Sequence, residues 1–146
     1  MLRGNYTTKV DEKGRIKIPA AFRDYIQKKY GPEFFITSIN GDHVRLYPLP
    51  EWEKIEQSLA QLPEMEPIKE KFLRRTNFYG RPATMDGQGR ILIHPPLRTE
   101  AGLNGEVAVL GYVTYLQVWN LERFEALLRA EEFTRDDAAA IARLGI

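Results

Sequence analysis

The stretch "DEKGRIKIP" (residues 11–19) places four charged side chains around one glycine and then alternates apolar with polar residues. Seventy-five positions later, "DGQGRILIH" (residues 86–94) repeats this arrangement. An Asp that opens a turn can accept hydrogen bonds from backbone N–H groups further along, and a Gly three positions later tolerates a positive φ. The Ile-x-Ile that follows predicts an extended strand with both isoleucines facing a core. Each copy is therefore predicted to be a tight turn that leads into a short strand.

The similarity between the two halves of the chain extends beyond these turns. Aligned without a gap, residues 11–23 and 86–98 agree at six of thirteen positions, and "LYPLPEWEKI" (46–55) resembles "VWNLERFEAL" (118–127). A duplicated unit usually means that neither copy closes its core alone. We therefore predict a single pseudo-symmetric domain over residues 1–146. It would contain repeat one at about 5–62, repeat two at about 80–128 and a C-terminal helical tail at 129–146.

The segments around the repeated motif predict a mainly β protein with short helices, of the α+β class. A proline follows each short strand and begins a helical turn, predicted to end near Tyr25 in the first copy and near Ala101-Gly102 in the second. Residues 33–49 contain the turn signal Asn-Gly-Asp between two apolar runs, which predicts a β-hairpin. Residues 106–119 predict the equivalent hairpin, with a break at Gly111-Tyr112. Further helices are predicted after Pro50, after Pro67 and after a cap at Thr134.

Composition limits the classes of protein to consider. The chain has 146 residues, 43% of them hydrophobic, a formal net charge of +1 and no cysteine. Disulfides and thiolate metal sites are therefore excluded. The start, "MLRGNYTTKV", has no apolar secretory core, and no apolar run approaches the roughly 20 residues of a membrane helix, so a cytoplasmic location is expected.

Charge is unevenly distributed along this nearly neutral chain. Residues 1–30 hold eight basic side chains against three acidic ones, whereas residues 121–146 hold four arginines against six acids. Separated signs of this kind indicate a basic face that can steer the protein toward phosphate. Ordinary scatter of charge over a solvated surface remains the alternative.

Within the repeated motif, two groups of residues have different explanations. Turn chemistry accounts for the first group, Asp11, Gly14, Asp86 and Gly89. Turn chemistry does not require the second group, Lys13, Arg15, Gln88 and Arg90. Side chains at such positions project from a turn, where a guanidinium can fork onto a phosphate or a guanine edge. Pairing of each arginine with the aspartate of its own turn is equally compatible with the spacing.

Several stretches of the chain resemble the MraZ family of bacterial transcriptional regulators, part of the AbrB-like, swapped-hairpin class of DNA-binding proteins. They are the segment from "MLRGNY" to "VDEKGRIKIPAAFR", the hairpin leading to "RLYPLPEWEKI", the helix end "FLRRTNFYG", and "DGQGRILIHPPLR". The resemblance covers roughly residues 1–128 and leaves the tail outside. The doubled Asp-x-x-Gly-Arg at this spacing is its most specific element.

The resemblance implies a fold and a function. Each repeat would form one arm of a double-wound swapped-hairpin barrel with packed helices, so that one chain mimics a homodimer. Such chains form ring-shaped homo-oligomers and bind double-stranded DNA at short direct repeats, in the promoter of the cell-division and cell-wall gene cluster. They often repress their own operon, which implies a nucleoid-associated protein. The DNA contacts would fall on Lys13 and Arg15 in the first copy and on Gln88 and Arg90 in the second.

Two positions depart from the family pattern. His94 stands where a proline is usual, and the second turn has Gly87 and Gln88 where the first has Glu12 and Lys13. The second copy therefore carries one cation fewer. Because phosphate affinity follows the number of cations, the first turn is expected to hold more of it.

Other classes of function are weighed against this one. An antitoxin-like interaction module would use the same barrel and the acidic tail to neutralise a partner protein, and a small β-barrel RNA binder would prefer single strands. Enzymatic activity is not expected, because no nucleophile stands beside an oriented base. His43 and His94 lie in unrelated contexts, so no metal, cofactor or small-molecule substrate is expected. Core packing is predicted for the aromatic residues Phe34, Phe35, Tyr47, Trp52, Phe72, Phe78, Tyr79, Trp119 and Phe124.

Overall fold

A computed structural model describes every residue of the chain, Met1–Ile146, and shows a mixed α+β protein. The α+β class predicted from the sequence is confirmed, but the predicted mainly β balance is wrong, because the helices hold more residues than the strands. The eight strands are β1 (Asn5–Lys9), β2 (Arg15–Lys17), β3 (Glu33–Thr37), β4 (Val44–Pro48), β5 (Arg81–Thr84), β6 (Arg90–Leu92), β7 (Glu106–Tyr112) and β8 (Tyr115–Asn120). The six helices are α1 (Ala20–Tyr30), α2 (Leu49–Ala60), α3 (Pro67–Tyr79), α4 (Pro95–Glu100), α5 (Leu121–Ala130) and α6 (Arg135–Arg143).

The strands form one large antiparallel sheet and one small ribbon. The sheet has six strands in the order β1-β7-β8-β4-β3-β5, and β2 pairs with β6 in a separate two-stranded ribbon. β1 therefore pairs with a strand from the second half of the chain, and β5 with a strand from the first half. The hydrogen-bond ladders do not close into a barrel, because β1 and β5 form the two open edges of the sheet. The swapped-hairpin repeat stays a prediction.

The core lies between the inner face of the central strands and the ribbon. Ile16, Ile18, Ile91 and Ile93 are almost completely buried, as the alternation in both motif copies predicts. They share one apolar cluster with sheet residues such as Val44 and with residues of α1 and α4. Burying an isoleucine stabilises a fold by about 1.5–3 kcal/mol. This cluster fixes the inner side of the ribbon and so determines which side chains face outward.

The first hairpin forms as predicted, with Gly41 at φ +80° in the turn between β3 and β4. The predicted break at Gly111-Tyr112 is wrong, because β7 continues through Tyr112 and the chain turns at Val113-Thr114, with Val113 at φ +65°. Gly111 serves a different purpose. Its N–H donates to the Gly4 carbonyl at 2.8 Å, and a Cβ at this position would collide with the backbone of Arg3. The glycine thus permits close approach of the N-terminal segment.

The helix predictions hold except at one end. α3 begins after Glu66 and ends before Gly80, as the sequence indicates. α6 is capped by Thr134, whose hydroxyl accepts a hydrogen bond from the Asp137 N–H at 3.1 Å in a capping box. α1, however, continues past the predicted end near Tyr25 to Tyr30, because Ile26 extends its buried face by another turn. None of the six helices combines the length and apolarity needed to cross a membrane.

The predicted core role of the aromatic side chains is only partly correct. Phe34, Tyr47, Trp52 and Tyr79 are buried, and most of the others are half-buried against the sheet or its helices. Phe78 is an error in the prediction, since 78% of its surface is exposed. Phe78 lies on the solvent side of α3, whereas its neighbour Tyr79 lies on the buried side.

Candidate nucleic-acid interface

The first motif folds as a turn held by the side chain of Asp11. Its Oδ1 accepts hydrogen bonds from the Lys13 N–H at 2.9 Å and the Arg15 N–H at 2.8 Å. The Gly14 N–H donates to the Asp11 carbonyl at 3.0 Å, and Gly14 has φ +80°. An aspartate is well suited to this position because a short carboxylate reaches N–H groups two and four residues ahead.

The second motif has the same geometry in every respect. Asp86 Oδ1 accepts from the Gln88 N–H at 2.9 Å and from the Arg90 N–H at 2.8 Å, and Gly89 has φ +78°. The tip residues Lys13 and Gln88 are both exposed. Two stretches of sequence that agree at their Asp, Gly and Arg positions thus build two equivalent turns.

Each turn also binds its own arginine, the alternative that the spacing left open. Arg15 Nε donates to Asp11 Oδ2 at 2.9 Å, and Arg90 Nε donates to Asp86 Oδ2 at 2.9 Å. Only Nε is used, since no protein group accepts from the Nη atoms of either arginine. The two side chains remain 25% and 32% exposed. The ion pair therefore orients each guanidinium while its outer donors stay available for a ligand.

The titration of the two aspartates maintains this arrangement at neutral pH. The backbone N–H of Arg15, followed by its guanidinium and the Lys13 N–H, holds the pKa of Asp11 below its usual value. Arg90 and Gln88 lower the pKa of Asp86 in the same way. Hydrogen bonds to a carboxylate favour its charged form. Both turns are consequently anionic at their base and cationic at their outer edge.

The ribbon brings the two arginines, 75 positions apart in sequence, onto one face. In the antiparallel register Arg15 lies opposite Leu92, Ile16 opposite Ile91, and Lys17 opposite Arg90. Because the central isoleucine pair is buried, the other two pairs face outward. Arg15 and Arg90 are therefore diagonal neighbours, with Cα atoms roughly 7–8 Å apart by ladder geometry.

Sequence reasoning missed one cation on this face. Lys17 is exposed and shares the outer side of β2 with Arg15. The period of two in the segment Arg15-Ile16-Lys17 could have placed it there. What the sequence could not show is the pairing of β2 with β6, which sets Lys17 directly across from Arg90.

Each turn is also tied to the strand of the other copy. The Ile18 N–H donates to the Gly89 carbonyl at 2.8 Å, and the Ile93 N–H donates to the Gly14 carbonyl at 3.1 Å. These two bonds continue the ribbon beyond its paired residues. Neither turn could therefore shift without disturbing the strand that carries the opposite arginine.

The two histidines are not part of this face, although His94 borders a surface cavity together with Leu92. The His43 ring stacks on Trp119 with 4.4 Å between ring centroids, and its Nδ1 lies 2.9 Å from Asp42 Oδ1. His94 stands at the start of α4 with a buried Nδ1 that has no partner. No three His, Asp or Glu side chains converge in a way that could hold a metal ion.

Comparison with known proteins identifies the family of the chain. The family model described as "MraZ protein, putative antitoxin-like" matches residues 1–75 and 81–144. The chain belongs to the MraZ family. A protein of Acidobacterium capsulatum named "Transcriptional regulator MraZ" is 49% identical over 146 residues, which cover all of both chains. A protein of the same name from Koribacter versatilis is 44% identical over 147 residues, again over the full length of both.

A more distant MraZ relative matches a smaller share of the chain. The Escherichia coli K12 protein named "Transcriptional regulator MraZ" is 36% identical over 121 residues, 82% of this chain and 80% of its own. The full-length matches correct the expectation that the resemblance ends near residue 128, because they include α6. The tail therefore belongs to the part of the chain that some MraZ proteins share.

Proposed function

We propose that this MraZ chain is a transcription regulator that binds double-stranded DNA in a sequence-specific manner. One observation carries the proposal. Two copies of one turn hold Arg15 and Arg90 by the same two hydrogen bonds to an aspartate, and both guanidiniums lie on one face of the β2–β6 ribbon. The printed name of the relatives, transcriptional regulator, supports the same function.

The two-stranded ribbon has a shape suited to reading base pairs in the major groove. The major groove of B-DNA admits a two-stranded ribbon, and an arginine that forks onto guanine O6 and N7 contributes about 1–3 kcal/mol of discrimination. Arg15 and Arg90 would use their Nη donors for such contacts, while Lys13 would bind phosphate. The aspartates hold both guanidiniums in place before DNA arrives, which reduces the entropy lost on binding. Lys13, Arg15, Gln88 and Arg90 are thus the proposed DNA contacts.

Oligomerisation would supply the affinity that one ribbon lacks. With a net charge of +1, a single chain would bind phosphate weakly and lose affinity as salt rises. A ring-shaped homo-oligomer that presents several ribbons to direct repeats would multiply these weak contacts through effective concentration. We place the repeats in the promoter of the cell-division and cell-wall gene cluster, where the protein would repress its own operon at the nucleoid.

The proposal includes the domain organisation. We interpret the chain as one swapped-hairpin domain built from repeats at about 5–62 and 80–128, followed by the tail at 129–146. The exchange of β1 and β5 between the halves supports this interpretation. A repeat that gives its first strand to the other repeat could not fold alone.

The test is a gel-shift with the DNA upstream of this protein's own gene, at two salt concentrations. Arg15→Ala should abolish retention of the fragment, because it removes the guanidinium but keeps the backbone N–H that Asp11 binds. Arg129→Ala removes an exposed arginine of α5 and is the matched control for charge. Circular dichroism and native mass should match the wild type in both variants. Unchanged retention by Arg15→Ala would contradict the proposed function.

A second candidate function rests on the family description, which includes the words "antitoxin-like". In this alternative, the acidic α5–α6 region would bind and neutralise a partner protein. α6 is a short capped helix, whereas an antitoxin tail is usually long and disordered. Purification from the native organism distinguishes the two. A stoichiometric protein partner that displaces DNA would favour the antitoxin function, and a homo-oligomer that shifts promoter DNA would favour the regulator.

A further inference from the structure

The outer face of the β2–β6 ribbon departs from the twofold symmetry of the motif. Four side chains form this face, with Arg15 opposite Leu92 and Lys17 opposite Arg90. In the alignment of the two motif copies, Arg15 corresponds to Arg90, but Lys17 corresponds to Leu92. One diagonal of the face is therefore symmetric, and the other pairs a cation with an apolar side chain.

Neither member of the unequal diagonal is explained by folding. Leu92 is 50% exposed, although it lies on a strand whose neighbouring isoleucines are buried. Lys17 takes part in none of the ion pairs of the protein, and it faces another cation, Arg90, across the ladder. Like charges directly opposite each other destabilise a sheet. An anionic group of a ligand beside Lys17 would offset the repulsion between Lys17 and Arg90. An apolar group of the same ligand would pack against Leu92.

The residues around Lys17 and Leu92 also differ between the two halves. Lys17 borders a surface cavity of about 310 Å³ together with Tyr6, whereas Leu92 borders one of about 350 Å³ together with Arg81 and His94. Tyr6 and Arg81 occupy aligned positions in the two repeats. The first half thus carries its cation on the ribbon, and the second half carries it on the flanking strand β5. The two halves of the face therefore differ in charge although their backbones are equivalent.

From these observations we infer that the ribbon binds its DNA site in one orientation, with Lys17 against a phosphate and Leu92 against the methyl group of a thymine. The inference deepens the proposed function and rests on it. The thymine methyl is the apolar group that the major groove offers to a side chain such as leucine. A face with this asymmetry favours a non-palindromic unit, and copies of such a unit in one direction form direct repeats.

The first test replaces each thymine of the protected upstream DNA by uracil, which lacks only the methyl group. Wild-type protein should lose about fourfold in affinity at one position of each repeat, the value expected for burial of one methyl group. Leu92→Ala should be insensitive to uracil at that position. Lys17→Ala should keep the sensitivity to uracil but make the negative slope of log K against log salt shallower by about one. The inference is wrong if wild type shows no such position, or if Leu92→Ala discriminates equally well.

The second test measures orientation directly. The chain has no cysteine, so Glu12→Cys creates a unique attachment point for a DNA-cleaving iron chelate beside the first turn. With an otherwise wild-type ribbon, cleavage should fall on one flank of each repeat. In a background of Gln88→Lys, which removes the difference between the two tips, adding Leu92→Lys also makes the outer face symmetric and should shift cleavage toward both flanks. Equal cleavage of both flanks without Leu92→Lys, or no change with it, would overturn the inference.

The two tests separate this inference from the proposed function. Wild-type protein that fails to retain any upstream DNA would contradict DNA-binding regulation itself. Wild-type protein that binds tightly but without methyl sensitivity or orientation would contradict only the roles of Lys17 and Leu92. Both side chains are exposed, so the variants should match the wild type in circular dichroism.

Discussion

The guanidinium of Arg98, on α4, occupies the place that a Cβ would take on Gly14 of the first turn. Arg98 Nη1 also donates to the Ile93 carbonyl at 2.9 Å. The side chain therefore lies between the first turn and the strand that carries the second arginine. Gly14 is required here for two reasons, the positive φ and the absence of a side chain that would displace Arg98.

The same relationship occurs in the other direction. Arg23, on α1, packs against the position of a Cβ on Gly89 in the second turn. Arg23 and Arg98 are equivalent residues of the two motif copies, so each copy supports the turn of the other. Mutual support of the turns thus explains why these two arginines match in the sequence.

Gly14→Ala should destabilise the protein more than Gly4→Ala. Both glycines have a positive φ, at +80° and +86°, but a Cβ on Gly4 meets nothing within 4 Å. Backbone strain alone should cost about 1–2 kcal/mol at either site. At Gly14 the displaced Arg98 also loses its bond to the Ile93 carbonyl, for roughly a further 1 kcal/mol. Urea unfolding of both variants measures the difference.

A double-mutant cycle isolates the contact between Gly14 and Arg98. In the background of Arg98→Ala there is no guanidinium to displace, so Gly14→Ala should then cost about as much as Gly4→Ala. Equal costs of Gly14→Ala with and without Arg98 would show that the contact contributes nothing to stability.

Asp11→Asn should reduce the specificity of DNA binding while increasing its strength on non-specific DNA. The amide oxygen can still accept the Lys13 and Arg15 N–H bonds, so the turn should persist. The ion pair to Arg15 Nε is lost, which frees the guanidinium and removes one negative charge from the face. Anisotropy titrations with promoter and scrambled duplexes give the ratio of the two affinities.

Glu12→Gln is the matched control, because Glu12 is exposed in the same turn and takes part in no ion pair. It changes the charge by the same amount without touching Arg15. It should raise the affinity for both duplexes equally and leave their ratio unchanged. The proposed positioning role of Asp11 fails if Asp11→Asn and Glu12→Gln give the same ratio.

Sequence reasoning succeeded where a local pattern and the tertiary structure make the same demand. The Ile-x-Ile alternation, the Asn-Gly-Asp hairpin turn and the Thr134 cap each depend on residues within a few positions, and all three are present. The prediction failed at Gly111, where the glycine serves the approach of a segment more than 100 positions away. It also failed at the end of α1, where burial of Ile26 against distant strands decides the length.

In the candidate site, too, the sequence predicts the local turns but not the contacts between distant segments. The sequence identifies the four positions of the two turns that carry Lys13, Arg15, Gln88 and Arg90. It does not reveal that the ribbon brings Arg15 and Arg90 onto one face, because a three-residue ladder between β2 and β6 leaves no pattern in either strand alone. The contribution of Lys17 to the face depends on that pairing. Phe78 was misplaced for a related reason, since helical spacing alone does not show which side of α3 lacks a neighbour.

Exchanging the tip residues should transfer phosphate affinity between the turns. Lys13→Gln should weaken binding to upstream DNA and make the negative slope of log K against log salt shallower by about one, because one phosphate contact is lost. Gln88→Lys should strengthen binding and make that slope steeper by a similar amount. Anisotropy titrations over a range of salt concentrations measure both. The proposed asymmetry between the turns fails if neither variant changes the slope.

His94→Pro should stabilise the protein. His94 has φ −64°, close to the value that proline imposes, and its N–H donates no hydrogen bond. Its counterpart in the first copy is Pro19, in a similar extended conformation before α1. A proline that fits the native backbone stabilises by about 0.4–1 kcal/mol by restricting the unfolded chain. The substitution also removes the buried Nδ1 that has no partner. A urea midpoint below that of the wild type would contradict this explanation.

His94→Pro should also weaken the dependence of stability on pH. Burial, together with the charge of Arg81, lowers the pKa of His94 below its ordinary value of 6.5. The unfolded state therefore binds a proton more readily than the folded state, so the stability present above that pKa is lost as pH falls below it. His43, whose pKa is lowered chiefly by burial, should give the remaining loss in the variant. Urea midpoints from about pH 7.5 to about pH 5 should fall less steeply for His94→Pro than for the wild type. Parallel curves would show that the imidazole of His94 does not titrate differently in the two states.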